Sequence, residues 1–400
     1  MRKTTAHAQI FMPIHGLLWL GIGKGMVIKM KKIKILSVFG TRPEAIKMCP
    51  LIKVLEESSF VDSVVCLTGQ HRQMLDQVIN IFGTKVQHDL NIMRPRQTLT
   101  TITSDILLKM EDIFIEEKPD LVLVHGDTST SFVVALAAFY QQIPVGHVEA
   151  GLRTGDRYSP FPEEMNRVLS GHIAELHFSP TETSRKNLEN EGICKNVFVT
   201  GNTVIDSFVT TVKDNYEFKD EKLKALDLTE KKVILMTAHR RENLGEPMRN
   251  IFKAVKRIAI DNPDVLVIYP VHLNPEVKEV AEEILGGASG VALIDPIEVD
   301  DMHNLMAKSY LVLTDSGGLQ EEAPSFGVPV LVLRTETERP EAVDAGTVKM
   351  AGVLENDVYE LTNELLKNDK EYAQMARAIN PYGDGHASER ILEAILKWWD

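Results

Sequence analysis

Three carboxylates in the first half of the chain lie where catalytic groups are often found. Asp127 follows one apolar run, Glu149 ends another, and Glu163 begins a predicted helix. Carboxylates whose pKa values are separated by their neighbours can share general acid and general base roles. A helix cap would explain Asp127 alone, and a surface ion pair from Glu163 to Arg167 would contribute only about 0.3–0.5 kcal/mol. Together the three favour proton transfer, although the spacing leaves open which one accepts the proton and which one returns it.

The stretch Thr314–Pro324, TDSGGLQEEAP, has the residue types of an anion-binding turn. An apolar run precedes it, and Gly317 and Gly318 allow a tight turn before a predicted helix. A strand, a glycine turn and a helix N-terminus bring unpaired backbone N–H groups together, which suits a phosphate. Glu321 and Glu322 lie just inside the helix, where they could accept hydrogen bonds from ribose hydroxyls. The stretch therefore predicts a site for a nucleoside diphosphate.

Cations follow several other predicted strands. Arg42 and Lys47 lie in GTRPEAIK, His239 lies in TAHRREN, and Arg339 lies in RTETERPE. Arginine can bind a phosphate as a fork, and lysine can bind it as a point charge. Solvated surface charge is the ordinary alternative for each of these segments. Their repeated placement after strands favours an anionic ligand.

The remaining histidines and cysteines carry weaker signals. His125 ends an apolar strand, so we expect a core histidine whose hydrogen bonds are satisfied, and His272 in YPVHLNP is a weak candidate for function. The twelve histidines and three cysteines show neither H-E-x-x-H nor paired cysteine spacing, so no structural zinc is predicted. The absence of G-x-G-x-x-G and of G-x-x-x-x-G-K-[ST] lowers the case for a dinucleotide cofactor or an NTPase.

Strands and helices that alternate along the chain position these residues. Such alternation implies βαβ units with parallel sheets, and the pattern restarts after Asn202. We therefore predict an α/β protein with two Rossmann-like, doubly wound domains that face each other across a cleft. The predicted strands are Ile33–Phe39, Val61–Thr68, Leu121–His125, Val145–Glu149, Val233–Thr237, Val265–Tyr269, Val291–Ile294, Tyr310–Leu313 and Val328–Val332.

The predicted domain boundaries follow the same pattern. Residues 1–31 form an amino-terminal extension that differs from the rest and is not expected to join the fold. Residues 32–204 form the domain with the carboxylates, and residues 205–383 form the anion-binding domain. Residues 384–400 form an amphipathic helix that we expect to cross back to the first domain.

Composition limits the classes of partner. With 400 residues the chain is long enough for two domains, and its apolar share of 44% is ordinary for a globular protein. A net charge of −13 argues against general nucleic-acid binding, which needs a basic surface. An anionic ligand must then be held by a few local cations. Three cysteines without a disulfide pattern fit a reducing, cytoplasmic setting, and no run is long enough for a membrane span.

These segments together resemble the non-hydrolysing UDP-N-acetylglucosamine 2-epimerases. The resemblance runs from Lys34 to the C-terminus, and the extension before Met30 is the one departure from the family pattern. The matching stretches are FGTRPEAIKMCP, TGQHRQML, VLVHGDTST, GHVEAGLRTGDRYSPFPEEMNR, HFSPTETSRKNL, VTGNTVID, TAHRREN, YPVHLNP, LTDSGGLQEEAPSFGVPVLVLRTETERPEA and NPYGDGHASERI.

The resemblance implies a GT-B-like fold and a reversible conversion of UDP-GlcNAc into UDP-ManNAc, without a cofactor and without a metal. The C2 hydrogen of the sugar is not next to a carbonyl group, so direct deprotonation would be very difficult. Departure of UDP from C1 creates oxocarbenium character that acidifies the C2–H bond. The implied route is elimination to 2-acetamidoglucal and UDP, followed by re-addition with a proton delivered to the opposite face.

The resemblance also implies roles for individual residues. A diphosphate-holding role falls on Arg42, His239, Ser316, Gly317, Gly318 and Arg339, and a ribose-holding role falls on Glu322. Lys47 would help to stabilise the leaving group. His239 would also be a catalytic residue, in addition to holding the diphosphate. Proton transfer falls on Asp127, Glu149 and Glu163, with Arg167 as their companion. A second UDP-GlcNAc as an allosteric activator would involve Gln70, Gln73, Arg96, Glu163 and His272.

Other functions fit the same segments, and the resemblance has further implications. A hydrolysing epimerase would release ManNAc and UDP, a GT-B glycosyltransferase would need an acceptor, and a sugar-nucleotide sensor would bind without reaction. The resemblance implies a cytoplasmic homodimer that supplies UDP-ManNAc for a cell-surface polysaccharide, while the particular polysaccharide stays open.

Overall fold

Two parallel sheets, each flanked by helices, make up the part of the chain that the structure describes. The structure is a computed structural model, and it describes residues 32–69, 72–94 and 96–400. The predicted extension, residues 1–31, lies outside these residues. None of the described helices combines the length and the apolar content needed to cross a membrane.

The first sheet has seven strands in the order β3-β2-β1-β4-β5-β6-β7. Its strands are β1 Ile33–Phe39, β2 Val61–Leu67, β3 His88–Asp89, β4 Leu121–His125, β5 Val145–Val148, β6 Leu176–Ser179 and β7 Val197–Val199. The helices of this half are α1 Arg42–Glu57, α2 Arg72–Phe82, α3 Leu99–Glu117, α4 Ser129–Tyr140, α5 Glu163–Ile173 and α6 Glu182–Asn190. The short helices α7 Thr203–Asp206, α8 Phe208–Thr211 and α9 Glu221–Lys224 lie between β7 and the second sheet, and Leu223 of α9 packs into a core of the second sheet.

The second sheet has six strands in the order β10-β9-β8-β11-β12-β13. Its strands are β8 Lys232–Thr237, β9 Val265–Pro270, β10 Val291–Ile294, β11 Leu311–Thr314, β12 Val330–Val332 and β13 Val348–Met350. The helices are α10 Glu246–Asp261, α11 Pro275–Leu285, α12 Val299–Ala307, α13 Gly317–Glu322, α14 Pro340–Asp344, α15 Glu355–Lys367, α16 Asp369–Ala376 and α17 Ala387–Trp399, with 3₁₀ turns at Arg241–Asn243 and Ala323–Phe326.

The apolar runs of the strands explain why both sheets are covered on both faces. Successive side chains of a strand point to opposite faces, so a continuous apolar run needs two cores. In β1, Ile33 and Ile35 join one core while Leu36 and Val38 join the other. The second sheet divides its strands between two cores in the same way. The predicted α/β fold with two doubly wound, Rossmann-like sheets is confirmed.

The chain crosses between the two sheets twice within the described residues. The first crossing follows β7, and the second precedes α17, whose Ile391 and Ile395 pack into a core of the first sheet beside α1. The two crossings touch, because the backbone N–H of Asn202 donates to the carbonyl of Tyr382 at 2.7 Å. The boundaries at residues 204 and 383 stay predictions.

Local differences from the sequence-based expectations lie at the ends of elements. Strand β5 ends at Val148, because Glu149 has a φ of 62° and leaves the extended conformation. Helix α13 begins at Gly317, so both glycines of the predicted turn lie inside its first turn. His88 and Asp89 form a short edge strand, where a loop was expected from Asp89 onward.

Candidate active site

The two switch points of the sheets face a shared cavity of about 790 Å³. In each sheet the order of the strands reverses between two central neighbours, β1 and β4 in the first and β8 and β11 in the second. Loops that follow such strands diverge and leave a crevice at the carboxyl ends. The cavity is lined by Thr41, Asp127 and Glu149 from the first half and by His239 and Ser316 from the second.

The loop that carries Arg42 is fixed by a capping box. Thr41 caps α1, and the carboxylate of Glu44 accepts hydrogen bonds from the N–H groups of Gly40 and Thr41 at 2.9 and 2.8 Å. The same carboxylate accepts a bond from the Thr128 hydroxyl at 2.6 Å, beside the loop that carries Asp127. Glu44 is buried and therefore joins the two loops of the first switch point.

Asp127 lies at the start of this second loop and is held by α5. Arg167 donates to its Oδ2 from Nε at 2.8 Å and from Nη2 at 2.7 Å, and Asn166 donates to its backbone carbonyl at 2.9 Å. Burial raises the pKa of Asp127, and the Arg167 guanidinium partly opposes that shift. The alternative of an ion pair from Glu163 to Arg167 is wrong, because Arg167 bonds Glu164 at 3.1 Å instead.

Glu149 lines the same wall of the cavity as Asp127, but its surroundings shift its pKa in the opposite direction. Burial disfavours its charge, but the Lys47 ammonium, which forms an ion pair with Oε1, acts together with other nearby positive groups such as Arg339, and their sum lowers the pKa of Glu149 to about 2. The amide of Asn202 also donates to Oε1 at 3.0 Å. A φ of 62° is rare for a residue with a side chain, and such strain is typical of functional sites.

His125 differs from the core histidine that we expected. Its ring is buried and lines the cavity, but neither ring nitrogen has a hydrogen-bond partner among the described residues. Nε2 lies 3.8 Å from Oε2 of Glu149. Burial lowers the pKa of His125 to about 4, so the ring is neutral at pH 7. The expectation of a satisfied core histidine is therefore wrong.

The opposite wall is built around Arg339 and the start of α13. Ser316, Gly318 and Arg339 line the cavity, whereas Gly317 supports the arginine from behind. A Cβ on Gly317 would lie 2.4 Å from Nη1 of Arg339, so only glycine lets the guanidinium pack this closely on the backbone. The first turn of α13 and a buried guanidinium together suit an anion.

Glu321 does not lie where a ribose could reach it, so that expectation is wrong. Its side chain is buried behind Arg339 and accepts a bond from the Nε of that arginine at 2.6 Å. Its other oxygen accepts a bond from Asn202 at 2.8 Å. Glu321 therefore fixes Arg339 from the side away from the cavity.

Glu322 lines the cavity and is backed by a buried histidine. The Nε2 of His303 lies 3.5 Å from Oε2 of Glu322, and Nδ1 of the same ring lies 2.8 Å from the Thr211 hydroxyl. The contact with His303 is made by Oε2 of Glu322 and does not involve the other carboxylate oxygen, Oε1. Glu322 can accept hydrogen bonds from hydroxyl groups in the cavity.

His239 and His272 stack against each other on the same wall, with ring centroids 5.4 Å apart. Asp315 holds the loop of His239, because its Oδ2 accepts the backbone N–H groups of His239 and Arg240 at 2.8 Å each. Burial lowers the pKa of His239. Both histidines line the cavity, so a ligand in it can contact either ring.

The other residues predicted for allosteric control are placed less fully. Gln70 and the side chain of Gln73 lie outside the described part of the chain. Arg96 is exposed and has a φ of 60°. Glu163 is half-buried at the start of α5 and is not among the residues that line the cavity.

One group of side chains has the spacing of metal ligands. His88, Glu116 and Glu117 offer ligand atoms within 4.8 Å of one another. Glu117 is already paired, since His88 Nε2 lies 2.6 Å from one oxygen and Lys34 Nζ lies 3.1 Å from the other. The lysine neutralises the charge that a cation would need, so we assign an ion-pair role to the group.

Sequence reasoning missed four residues that hold the site together, namely Glu44, Glu164, Asn202 and His303. Glu164 accepts the N–H groups of Thr154 and Gly155 and orients Arg167. Glu44 left a local signal, because T-R-P-E has the pattern of a capping box. Glu164 bonds residues nearby in the chain, whereas Asn202 and His303 bond partners that lie farther away in sequence.

Comparison with known proteins identifies the family. The family model described as UDP-N-acetylglucosamine 2-epimerase matches residues 53–396. The chain is 58% identical over 369 residues to the Bacillus subtilis UDP-N-acetylglucosamine 2-epimerase, covering 92% of this chain and 96% of that protein. The structure of S. aureus MnaA with UDP has a TM-score of 0.84 and 51% identity, covering 92% of this chain and 97% of that one.

A structure with a bound nucleotide sugar is also similar. The Neisseria meningitidis UDP-GlcNAc 2-epimerase bound to UDP-GlcNAc has a TM-score of 0.83 and 48% identity, covering 91% of this chain and 100% of that one. The family model spans most of the chain, and these relatives share about half of their residues with it. This chain therefore belongs to the UDP-N-acetylglucosamine 2-epimerase family.

Proposed function

We propose that this protein interconverts UDP-GlcNAc and UDP-ManNAc by inverting C2 without releasing free sugar. The observation that carries the proposal is a single cavity with carboxylates on one wall and cations with a helix N-terminus on the other. A nucleotide sugar has a sugar ring, with its C2 hydrogen, at one end and a diphosphate in the middle. The two walls match these two chemical demands.

The anion-binding wall would hold UDP throughout the reaction. Arg339 and the first turn of α13 would bind the diphosphate, with Arg42 and His239 completing its contacts. Glu322 would accept hydrogen bonds from the ribose, and Lys47 would stabilise the charge that develops on the leaving oxygen. UDP that has left C1 must stay bound, because its loss would commit the sugar to release.

The carboxylate wall would perform the proton transfers. As the bond from C1 to UDP breaks, C1 gains oxocarbenium character and the C2 proton passes to a carboxylate, which leaves 2-acetamidoglucal and UDP. UDP then adds back to C1 while a proton returns to the opposite face of C2. The environments of Asp127 and Glu149 move their pKa values apart, so one can hold a proton while the other stays ionised. Glu163 would join them from the start of α5.

The remaining implications of the family resemblance stay proposals. A second UDP-GlcNAc would bind beside the substrate, near His272, and activate the enzyme. A homodimer in the cytoplasm would supply UDP-ManNAc for a cell-surface polysaccharide. Activity that rises cooperatively with UDP-GlcNAc would support the second site, and hyperbolic kinetics would contradict it.

Turnover of UDP-GlcNAc in D₂O tests the reaction directly. We expect UDP-ManNAc with deuterium at C2, both visible by NMR, and deuterium at C2 of recovered UDP-GlcNAc. Free ManNAc and UDP without UDP-ManNAc would instead establish a hydrolysing epimerase. Binding of UDP-GlcNAc without deuterium incorporation would establish a sensor, and turnover only with an added sugar acceptor would establish a glycosyltransferase.

A further inference from the structure

The side-chain amide of Asn202 lies between two buried carboxylates that come from different halves of the molecule. Its Nδ2 donates to Oε1 of Glu149 at 3.0 Å and to Oε2 of Glu321 at 2.8 Å. An amide nitrogen carries two hydrogens, so it can serve both carboxylates at once. The reversed amide would place its oxygen against two carboxylates, and the orientation is therefore fixed.

The rest of Asn202 is tied to the two crossings of the chain. Its Oδ1 accepts the N–H of Val204 at 3.1 Å and caps α7 on the first crossing. Its backbone N–H donates to Tyr382 on the second crossing at 2.7 Å. A Cβ on the neighbouring Gly201 would lie 3.2 Å from the Tyr382 carbonyl, so the crossings approach closely here. Asn202 is only 3% exposed.

The two carboxylates that share Asn202 belong to opposite walls of the cavity. Glu149 pairs with Lys47 on the carboxylate wall. Glu321 accepts a hydrogen bond from Nε of Arg339, which lines the anion-binding wall. Nζ of Lys47 lies 4.0 Å from the same carboxylate of Glu321. The path Glu149–Asn202–Glu321–Arg339 therefore connects the groups of both walls through direct hydrogen bonds.

We propose that Asn202 is a positioning residue that sets Glu149 relative to Arg339 across the boundary between the two halves. The proposal rests on the function proposed above, which gives Glu149 the proton transfer and Arg339 the diphosphate. Elimination needs both groups in register on one substrate, and a misplacement of about 1 Å can reduce a rate about 10²-fold. The two N–H groups of the amide also separate two carboxylates that would otherwise repel each other.

The variant Asn202→Asp tests the proposal with almost no change of shape. Aspartate keeps an oxygen that can cap α7, but its second oxygen faces Glu149 and Glu321. We expect kcat to fall about 10²-fold or more. The acidic limb of the pH profile of kcat should move to higher pH, because three adjacent carboxylates cannot all stay ionised. The other charged or titratable groups that face this cluster are Lys47 from α1, His125 from β4, Asp127 after β4, Arg339 before α14 and Tyr382 before α17.

Two further variants separate positioning from helix capping. Asn202→Ser keeps a capping oxygen and adds no charge, so we expect kcat to fall while the pH profile stays in place. Asn368→Asp is the matched control, since Asn368 caps α16 through the N–H of Glu371 at 3.2 Å, is exposed and lies outside the cavity. This control should keep both the kcat and the pH profile of the wild type. Thermal unfolding of each variant shows whether it is folded.

Each outcome decides the proposal. A wild-type kcat in Asn202→Asp or in Asn202→Ser would reduce Asn202 to a helix cap and overturn the proposal. A fall in kcat for Asn202→Asp without a shifted pH profile would also overturn it, because a general loss of structure would suffice. If Asn202→Asp does not fold, the kcat of folded Asn202→Ser decides. Failure of the proposed function appears differently, as a wild-type protein that incorporates no deuterium at C2.

Discussion

Asp127 and Glu149 carry the same functional group in opposite surroundings. Burial raises the pKa of Asp127 against the pull of Arg167. For Glu149, burial is outweighed by the ammonium of Lys47 together with other nearby positive groups, and its pKa falls to about 2. The balance between burial and a charged partner sets the direction of each pKa shift, and neither partner is adjacent in sequence. This separation favours a division of labour in proton transfer.

The variant Asp127→Asn tests the residue that we assign to proton transfer. We expect turnover to fall at least about 10²-fold, because an amide cannot exchange the proton. UDP affinity, measured by calorimetry, should stay near that of the wild type, since Asp127 lies on the wall opposite Arg339. Asp264→Asn, which changes an exposed aspartate before β9, serves as the control. A parallel loss of UDP affinity would assign Asp127 a structural role instead.

Neighbouring residues with identical side chains show where sequence reasoning stops at this scale. Glu321 and Glu322 both seemed suited to ribose, yet only Glu322 lines the cavity. Adjacent residues of a helix point about 100° apart, so one can face a ligand while the next is buried. Glu163 and Glu164 also differ in burial, because Glu163 is half-buried while the buried Glu164 is the partner of Arg167.

At the scale of elements, the strand ends position the site. The predicted strands were apolar runs, and the parallel sheets confirm them within one or two residues at most ends. Their carboxyl ends meet at the switch points, which is why segments far apart in sequence share one cavity. Turn and cap residues then adjust each end, as the capping box of Thr41 and Glu44 shows.

Strand β5 contains a buried histidine that makes stability depend on pH. His147 is buried, its Nε2 lies 2.7 Å from the carbonyl of Gly126, and burial lowers its pKa from 6.5 to about 3. Between these values the unfolded chain binds a proton that the native ring does not bind. The contribution of His147 to the free energy of unfolding is therefore complete above pH 6.5 and is lost as the pH falls toward 3.

The variant His147→Gln should remove this dependence while keeping a donor for Gly126. Between pH 6 and pH 4 we expect the free energy of unfolding of the wild type to fall more steeply, by up to about 1.4 kcal/mol per pH unit. Urea denaturation at several pH values measures both slopes. His386→Gln, at an exposed position, controls for the loss of an imidazole. Parallel slopes for the wild type and His147→Gln would contradict the assignment.

At the scale of the whole molecule, neither half contains all the groups that the proposed reaction needs. The carboxylates follow strands of the first sheet, and the anion-binding turn follows a strand of the second. The net charge of −13 gives an anionic substrate no general attraction, so cations inside the cavity must hold it. Closure of the two halves around UDP is the expected consequence.

Hydrogen exchange with bound UDP tests this closure. We expect slower exchange of backbone amides around residues 40–45 and 126–131 as well as around residues 315–322. The anion-binding turn lies in the second half. Slower exchange in the first half therefore requires that the two halves close around UDP. Uridine, which lacks the diphosphate, is the control and should protect the first half less. Protection confined to residues 315–322 and their neighbours in the second half would show that UDP binds without closure.

Local patterns along the chain predict the fold class and the segments that form the cavity. Apolar runs of strand length require burial on both faces, and glycines, charged residues and carboxylates after strands require a site at the carboxyl ends. These signals are local, so they can be read without knowing the neighbours. The family resemblance added roles for individual residues.

Which charged groups touch depends on the way the chain packs in three dimensions. Asn202 between Glu149 and Glu321, and His303 behind Glu322, are contacts over long sequence separations. No local pattern encodes them, because the energy of a buried hydrogen bond depends on atoms that the fold brings within about 3 Å. The sequence placed the reacting groups at strand ends, and packing selected the partners that fix their charges.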